Sequence, residues 1–317
     1  MRKKYYICYL MLSNGKKSDE ILTPKVSVLE LQQETFEFFK KKGLCCKRLD
    51  EKCLYDSPEQ LLKNLNLIDN GNLKQAALLF FHNEPENFIT GTYIKVGFFH
   101  SKGDLQFQDE IRGNLFEQVE RTMELLLTKY TPCEWPEAAL REALLNAVTH
   151  KDYAGCTPIQ IRVYPDKIKI WNEGRLPENW TIQNLLQEHS SRPYNPDIAN
   201  MFFRSGYAES WGRGISKIIE LCVQAGLPAP DFKIENSDFL VTFKKNIYHK
   251  EDLSGKGLNE RQVEALVNFQ SKGEVTTSEY MKLYNVAERT ARNDLRDLVE
   301  KKYLKKQNDN KLSKYIF

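Results

Sequence analysis

The sequence predicts an α/β protein that ends in a separate helical module closed by a β-hairpin. Two observations support this fold class. Up to residue 247, helical periodicity alternates with strand-like runs, and after residue 257 three helical patterns precede two short strand patterns. The length of 317 residues favours about two domains and leaves room for a third. With 41% hydrophobic and 28% charged residues, the composition is that of a globular chain.

The composition also narrows the class of protein. No apolar run approaches the ~20 residues that a membrane-spanning helix needs. The basic N-terminus lacks the longer apolar run and the cleavage site of a signal peptide. We therefore expect a cytoplasmic protein without a membrane partner. Seven cysteines include no CxxC pair, which favours reduced thiols, and five scattered histidines argue against a zinc site.

The first elements in chain order are helices and strands that carry no obvious chemistry. Residues 24–67 are predicted to be mainly helical. The runs 76–81 and 92–99 end in turn residues and predict two strands. Residues 110–130 then predict one long amphipathic helix, because their apolar residues recur at helical spacing.

The central part of the chain predicts a helix over residues 141–153 with one apolar flank. A β-hairpin follows over residues 158–174, because apolar and polar residues alternate on both sides of a Pro-Asp turn. Two more helices are predicted over residues 195–207 and 214–227, and a strand over residues 239–245.

The predicted helix 141–153 aligns three polar side chains on the flank opposite its apolar one. Glu142 and Asn146 lie one turn apart, and His150 lies one turn further on. Asn146 offers the kind of oxygen ligand that Mg²⁺ prefers, and Glu142 is suited to orient or deprotonate a water. His150 is either a phosphate contact or a capping or core histidine. The alternative for the whole set is a solvated polar stripe.

Two further segments supply groups that suit a nucleotide. The end of the predicted hairpin delivers Asn172 and Gly174 into a turn, and Gly212 and Gly214 precede a predicted helix. Glycines at a helix start let backbone N–H groups approach an anion, and the helix dipole adds positive charge. The glycine pair alone would equally be an ordinary helix start. Lys217 stands where a dinucleotide fingerprint needs its third glycine, and the sequence has no GxxxxGKS/T motif, which excludes a P-loop helicase within it.

Taken in this order, the three segments resemble the GHKL ATPase fold of gyrase, heat-shock chaperone, histidine kinase and MutL proteins. The chain is more closely similar to a bacterial and archaeal family of transcriptional regulators. This resemblance rests on the stretches "ALREALLNAVTHKDY", "KIKIWNEGRLP" and "SRPYNPDIANMFFRSGYAESWGRGISKI". That family joins a Schlafen-type AlbA_2 domain, also described as divergent AAA_4, to a GHKL-like HATPase_c_4 module related to the RecG C-terminus. The resemblance covers roughly residues 65–247. It implies a Bergerat-type α/β sandwich with an N-terminal α/β extension.

The resemblance also implies ATP and Mg²⁺ as cofactors. According to this resemblance, Glu142 is the general base and Asn146 is the metal ligand. The positions that match the family's adenine and phosphate contacts are Asn172, Gly174, Gly212 and Gly214. Asn172 is an amide where the family has a carboxylate for the adenine amino group, and Leu176 replaces the second glycine of that turn. The enzyme class therefore stays open, at most a weak ATPase.

The C-terminal residues 258–317 predict three helices and a β-hairpin, which together resemble the winged helix-turn-helix of many bacterial regulators. Arginine and asparagine near the start of a recognition helix reach base edges in the major groove of double-stranded DNA. The candidate DNA contacts are Arg289, Thr290, Arg292, Asn293 and Arg296 on the helix, and Lys305, Lys306 and Lys311 in the wing. Residues 301–314 hold six lysines and one aspartate, a balance of +5 that suits phosphates. The alternative is a dimerisation or protein-docking module.

The resemblances, together with the change in composition near residue 250, imply five segments. These are a remnant of an AlbA-like domain (1–23), an α/β linking region (24–130), a GHKL-like ATP-binding module (131–247), a linker (248–257) and the winged helix-turn-helix (258–317). The linker is marked by its polar, glycine-containing composition. The first segment resembles the closing strand and tail of the AlbA-like domain, and its alternative is an edge strand of the central sheet.

These features predict a DNA-binding transcriptional regulator with a divergent ATP-binding module. ATP with Mg²⁺ would order residues 187–214 and change how the winged helices of a homodimer are spaced on DNA. Two alternatives stay open: a slow DNA-associated ATPase of GHKL type, and a degenerate, nucleotide-free scaffold for protein interaction. Phosphate release that depends on Glu142 would favour the enzyme, and no binding at millimolar nucleotide would favour the scaffold.

Overall fold

The computed structural model divides the chain into two compact units, Met1–Lys245 and Asn246–Phe317. The residues that it describes are 17–131, 135–177, 179–187, 189–209, 212–235, 238–245, 253, 255–269, 272–309 and 312–316. Among them, no helix has the length and apolar character that crossing a bilayer requires. None of the described cysteines forms a disulfide.

The first unit is built on a mixed β-sheet. Its described strands are β1 (Leu22–Thr23), β2 (Ile68–Asp69), β3 (Asn72–Lys74), β4 (Ile94–Ser101), β5 (Asp104–Ile111), β6 (Ile159–Tyr164), β7 (Lys167–Glu173), β8 (Asp231–Glu235) and β9 (Asp238–Lys244). The large sheet has the order β5-β4-β6-β7-β9-β8. Strands β4 and β6 pair in parallel, whereas the other neighbours are antiparallel. Because β4 and β5 share this sheet with later strands, the regions predicted separately for residues 24–130 and 131–247 lie in one compact unit.

Helices cover one face of this sheet. The described helices of the first unit are α1 (Gln33–Cys45), α2 (Pro58–Asn64), α3 (Gln75–Phe81), α4 (Leu115–Leu125), α5 (Glu137–His150), α6 (Ile182–Leu186), α7 (Pro196–Arg204) and α8 (Gly214–Gln224). Every second residue of β6 and β7 is buried. These residues, such as Ile161 and Ile170, join one hydrophobic core with Leu144 of α5. The period-two pattern of the predicted hairpin therefore places its apolar side under the helices.

One predicted strand is wrong. Residues 76–81 belong to helix α3, every residue of which is buried. A short and uniformly apolar run shows neither helical nor strand periodicity, so a buried helix and a buried strand look alike in sequence.

Several predicted helices have different bounds, and those expected over residues 195–207 and 214–227 end at Arg204 and Gln224. The helix expected over residues 110–130 begins at Leu115, because the two residues at the start of that range still belong to β5. Its start is fixed by Asn114, whose side-chain oxygen accepts a hydrogen bond from the Glu117 N–H at 3.0 Å. The helix expected over residues 141–153 ends at His150.

The first described residues attach to two helices at once. Ser18 Oγ donates to Asn195 Oδ1 at 2.8 Å, and Asp19 Oδ2 accepts two backbone N–H groups in the first turn of α7. Asn195 Nδ2 donates to the carbonyl oxygens of Thr149 and Lys151, at 2.8 and 2.7 Å, at the carboxyl end of α5. Asn195 is fully buried. It therefore ties the segment around Ser18 to the end of α5 and the start of α7.

Of the remnant predicted for residues 1–23, the structure describes residues 17–23. Strand β1 pairs with β3 in a small sheet of order β1-β3-β2. Residues 17–23 therefore add no strand to the large sheet, and the edge-strand alternative does not hold for them.

The second unit confirms the predicted winged helix-turn-helix. Its described elements are α9 (Glu260–Phe269), β10 (Glu274–Thr276), α10 (Thr277–Tyr284), α11 (Glu288–Glu300), β11 (Lys305–Asp309) and β12 (Leu312–Ile316). Asn285, with a left-handed φ of 48°, ends α10 and makes the tight turn before α11. Strands β11 and β12 form the wing, with β10 on the other side of β12. Most of the predicted linker lies outside the described residues, but its Leu253 is buried in the core of this unit.

Candidate functional site

Helix α5 turns two predicted site residues toward the start of helix α8. Its apolar flank is buried in the core, as at Leu144 and Val148, so Glu142 and Asn146 lie on the other side. A Cβ built on Gly214 would lie 2.7 Å from Glu142 Oε1 and 3.1 Å from Asn146 Nδ2. The carboxylate and the carboxamide are therefore close neighbours of the first residue of α8.

The end of β7 lies against the end of α5. The Asn172 side chain is only 2% exposed, and its Nδ2 donates to the Glu173 carbonyl oxygen at 3.3 Å. A Cβ on Gly174 would lie 2.5 Å from the His150 carbonyl oxygen. Glycine is needed here because no side chain fits between the strand end and the helix end.

The glycine loop approaches a third segment of the chain. Gly212 has a left-handed φ of 69°, and a Cβ there would lie 2.1 Å from the His189 carbonyl oxygen. Both facts restrict this position to glycine. Residues 210 and 211 lie outside the described part of the chain.

These elements surround a cavity of about 140 Å³. Apolar walls come from β7, β9 and α8, through Ile170, Val241 and Ile218. All seven residues predicted for the cofactor site line this cavity: Glu142, Asn146, His150, Asn172, Gly174, Gly212 and Gly214. Residues far apart in the sequence thus converge on one space with apolar walls and a few polar groups, the usual composition of a small-molecule site.

The charged groups of the cavity are partly compensated. Burial raises the pKa of Glu142, and Lys217 opposes that shift. The Lys217 ammonium lies 3.6 Å from Glu142 Oε2. Burial also lowers the pKa of His150 to about 4, and His150 Nδ1 accepts the Tyr194 N–H at 3.4 Å. His150 is therefore neutral at pH 7, which fits the core-histidine alternative better than a cationic phosphate contact.

Sequence reasoning missed most of the cationic and aromatic groups between β7 and α7. Arg175, Trp180, His189 and Arg192 line the cavity, and of these Arg175 and Arg192 fall in stretches that carried the resemblance. The Arg192 guanidinium lies 5.5 Å from the Trp180 ring centroid, and the His189 ring meets the same ring edge-on at 5.0 Å. No described carboxylate forms an ion pair with either arginine. Residues 174–195 hold two arginines and two glutamates, so their composition gave no signal of a basic site.

The residues present fit a magnesium nucleotide in part. The apolar walls suit a base, and the N-terminus of α8 with Arg175 and Arg192 suits phosphates. Asn146 offers an oxygen to Mg²⁺, which would take its remaining ligands from phosphates and water. No cluster of three acidic, histidine or cysteine side chains among the described residues forms a separate metal site.

The cavity is small compared with a complete nucleotide. A cavity of about 150 Å³ in another protein admits a single benzene ring, so 140 Å³ accommodates a ring-sized part of a ligand. The other parts of a nucleoside triphosphate would lie outside this space.

The second unit presents its predicted DNA contacts on one helix. Arg289, Arg292, Asn293 and Arg296 of α11 are exposed, and Thr290 is half-buried. Arg292 and Arg296 form ion pairs with glutamates one turn away, at 2.5 and 3.8 Å. Such exposed pairs contribute little free energy, so these guanidinium groups are available to another partner. Lys305 and Lys306 are exposed on β11, and Lys311 lies outside the described residues.

A buried carboxylate holds helix α11 in place. Asp294 accepts hydrogen bonds from Asn259 Nδ2 at 2.9 Å, from Arg261 Nε and Nη2 at 3.1 and 3.0 Å, and from the Tyr280 hydroxyl at 3.0 Å. These partners belong to α9, its preceding residue and α10. Because Asp294 follows Asn293 directly, the network fixes the orientation of the exposed face of α11.

Two family models match separate parts of the chain. Residues 156–243 match HATPase_c_4, described as "Putative ATP-dependent DNA helicase recG C-terminal". Residues 261–308 match HTH_DeoR, the DeoR-like helix-turn-helix domain. The first match includes Asn172 and Gly212 and begins after the helix that carries Glu142. No curated protein matches the sequence.

One solved structure supports the fold. It is the crystal structure of the DIP2311 protein from Corynebacterium diphtheriae, which is 19% identical, with a TM-score of 0.60. The similarity covers 91% of this chain and 52% of that chain, so this chain spans about half the length of its structural neighbour. The chain therefore carries an ATPase-like domain of the RecG C-terminal type and a C-terminal DeoR-like helix-turn-helix domain.

Proposed function

We propose that this protein is a DNA-binding transcriptional regulator whose ATPase-like module binds an adenine nucleotide with Mg²⁺ and thereby changes DNA binding. The observation that carries the proposal is the convergence of seven residues from three separate segments on one cavity. The helix-turn-helix match and the exposed basic face of α11 support the DNA-binding part.

Within the proposed site, Asn146 holds the metal ion, and Mg²⁺ supplies neutralisation of the polyphosphate charge. The apolar walls receive the base, next to the Asn172 amide. Arg175 and Arg192 bring positive charge to the phosphates from the segment between β7 and α7. The nucleotide then favours the arrangement of that segment in which both arginines reach it, because a ligand shifts an equilibrium only through such differential contacts.

In the proposed regulator, α11 enters the major groove and the wing lysines contact phosphates. A homodimer would read two half-sites about 34 Å apart on the same side of the duplex. A nucleotide that changes the spacing of the two winged helices would then change affinity for a fixed operator.

Isothermal titration calorimetry with ATP and Mg²⁺ tests the nucleotide-binding part. We expect saturable binding that weakens in an Asn146→Ala variant, and duplex affinity that differs between nucleotide-free and saturated protein. The absence of a binding signal at millimolar ATP would instead favour the scaffold alternative. Unchanged DNA affinity at saturation would reject the regulatory part alone.

A slow ATPase is the second candidate, because the Glu142 carboxylate lies beside the Gly214 start of α8. Burial raises the pKa of Glu142, which brings it closer to the range of an efficient general base. Phosphate release that disappears in Glu142→Gln, with DNA binding intact, would support this candidate. Equal background release in both proteins would reject it.

A further inference from the structure

The face of the large sheet opposite the helices carries charged side chains of both signs. The strand register places six cations on this open face: Lys95, Arg162, Lys167, Lys169, Lys233 and Lys244. The same register places five carboxylates there: Glu110, Glu173, Asp231, Glu235 and Asp238. The sheet residues of the hydrophobic core, such as Ile161 and Ile170, lie on the other face. The open face is therefore nearly neutral, and the arrangement of its charges decides what it can bind.

The charges of the open face are separated along strands β7 and β9. Lys167 lies directly opposite Lys244 at one end of this strand pair, and Glu173 lies opposite Asp238 at the other end. Like charges in such cross-strand positions destabilise a sheet. The strand pair therefore has a positive end and a negative end, and each end is stabilised by opposite charge from elsewhere.

The two ends differ in how far other residues compensate them. The two lysines of the positive end form exposed ion pairs with neighbouring aspartates at 2.8 and 2.6 Å. Such pairs contribute little free energy, so the lysines can exchange them for other carboxylates. At the negative end, no described cation forms an ion pair with Glu173, Asp238 or Glu235, although the buried Lys151 ammonium interacts with Glu173 beyond ion-pair distance. The negative end can therefore receive cations from another chain.

A second copy of the chain supplies the opposite sign at each end. Two sheets that pack face to face keep their strand directions aligned within about 30°. A two-fold axis that lies between the sheets and crosses β7 between Lys169 and Trp171 sets each strand against the same strand of the second copy, in the opposite direction. Positions equally far from the axis on either side then face one another. The positive end of each copy therefore meets the negative end of the other.

This arrangement brings no like charges of the described strands together. The register of β7, β8 and β9 gives three ion pairs between the copies, each formed twice: Lys244 with Asp238, Lys167 with Glu173, and Lys233 with Asp231. Lys169 faces the Trp171 ring of the second copy, which suits a cation–π contact. The other charged residues face neutral ones, since Lys95, Arg162 and Glu110 lie opposite Gly97, Gln160 and Gln108. Glu235 extends past the start of the facing β8.

The open face is also large enough for a specific interface. Its six strands lie about 4.8 Å apart, and seven residues of β7 at about 3.3 Å each give a face of roughly 29 by 23 Å, or about 650 Å². A standard protein interface buries about 800 Å² per partner. Because the face is more charged than the core of a permanent dimer interface, we expect a reversible dimer.

We propose that the open face of the large sheet is a homodimer interface, in which two first units pack face to face with antiparallel strands. The partner is a second copy of this chain, selected by the positive and negative ends of β7 and β9. The proposal depends on strand register and charge, and it does not depend on nucleotide binding. It supplies the dimer that the proposed reading of two half-sites requires.

Sedimentation velocity of the full-length protein tests for the dimer. We expect a monomer–dimer equilibrium in the micromolar range that weakens with added salt, because salt screens the ion pairs. The variants Lys167→Glu/Lys244→Glu and Glu173→Lys/Asp238→Lys should each raise the dimer Kd at least tenfold, because each places like charges at all four end contacts. An equimolar mixture of the two variants should dimerise again, since each supplies the sign that the other needs.

A control variant separates the position of the charges from their number. Lys41→Glu/Lys52→Glu makes the same charge change as the lysine-end variant at exposed positions of α1 and of the turn that follows it. This control should leave the dimer Kd unchanged. Thermal unfolding of each variant shows whether the sheet is intact.

A second pair of variants covers the case in which replacing Glu173 unfolds the sheet. This position carries that risk because the buried Lys151 interacts with Glu173. The single variants Asp238→Lys and Lys244→Glu then repeat the exchange of sign at the outer contact alone. Each should dimerise more weakly than the original protein, and their mixture should recover.

Carbodiimide crosslinking, which joins a lysine to a carboxylate without a spacer, identifies the contact directly. Lys244 and Asp238 are six residues apart on β9, which is about 20 Å along an extended strand. An amide bond between these two side chains can therefore form only between copies. We expect mass spectrometry of the isolated covalent dimer to find this crosslink.

Three outcomes would overturn the proposal. They are sedimentation as a monomer up to about 100 μM, a dimer Kd that is unchanged in Lys167→Glu/Lys244→Glu, and a mixture of the two charge-reversal variants that stays monomeric. An unchanged Kd would assign the dimer contact to another surface. Calorimetric titration with ATP is independent of all three, so failure of the interface and failure of nucleotide binding are distinguishable.

Discussion

Replacing Gly214 by alanine tests whether the start of α8 receives a polyphosphate. The added methyl group would stand 2.7 Å from Glu142 Oε1 and 3.1 Å from Asn146 Nδ2. The Glu142 carboxylate, the far end of a flexible side chain, therefore has to turn away from Lys217. Losing that partly exposed ion pair costs about 0–1 kcal/mol, and alanine recovers up to about 1 kcal/mol of helix propensity. The free energy of unfolding should consequently change by less than about 1 kcal/mol.

Nucleotide affinity should change much more than stability in the Gly214→Ala variant. The methyl group occupies the space between the first turn of α8 and the Glu142 and Asn146 side chains, where a metal-bound phosphate has to lie. We expect the Kd for ATP with Mg²⁺ to rise at least tenfold, which corresponds to about 1.4 kcal/mol. Calorimetric titration measures the Kd, and urea unfolding of the same sample measures stability.

Gly226, at the other end of α8, is the matched control. It has a left-handed φ of 72° and open space around its Cα. Alanine there should cost about 1–2 kcal/mol of stability through backbone strain and leave the Kd unchanged. An unchanged Kd in the Gly214→Ala protein would refute the placement of phosphates at this helix end. Parallel losses of stability and affinity in both variants would attribute the effect to the folding of α8.

Three further predictions concern stability, pH and DNA. Asp294→Ala should lower the free energy of unfolding of the second unit by about 3 kcal/mol, because the buried Tyr280 hydroxyl loses its acceptor. Urea unfolding of the variant should then show an earlier, separate transition for the second unit, and its absence would contradict the prediction. The contribution of His150 to the stability of the first unit should fall as pH falls from about 6.5 to about 4, because unfolded His150 binds a proton that the folded site excludes. Asp19, whose pKa burial raises to about 7, contributes with the opposite sign, so the measurement is the difference in free energy of unfolding between the protein and His150→Gln. That difference should move in favour of the variant as pH falls, and a difference that is independent of pH would count against it. Arg292→Ala should weaken binding to the specific duplex by about 1–3 kcal/mol and relax the sequence preference. Lys306→Ala should weaken binding to all duplexes alike and reduce the slope of log affinity against log salt by about one. Competition anisotropy against scrambled duplexes distinguishes the two patterns.

The elements that sequence could predict are those with a clear period. The hairpin of β6 and β7 alternates strictly, and α5 and α11 carry apolar residues at helical spacing, so local residue order already encodes which side is buried. Helix α3 has no such pattern, because all of its residues are buried. Its conformation is decided by tertiary packing, which local sequence does not report.

The site was predictable as a set of residues but not as a shape. Motif order was enough to nominate Glu142, Asn172 and Gly212, which line one cavity. The contact between Glu142 and Lys217 joins residues from two helices, and no local pattern encodes such a distance. The volume of the cavity depends on how far the loop at Gly212 closes, which is also a tertiary property.

The buried amide of Asn195 joins three segments of the chain at one point. It accepts a hydrogen bond from Ser18 and donates to the Thr149 and Lys151 carbonyl oxygens at the end of α5. Because α5 also carries Glu142 and Asn146, removing this amide would leave the helix that forms one wall of the cavity without a fixed attachment at its carboxyl end.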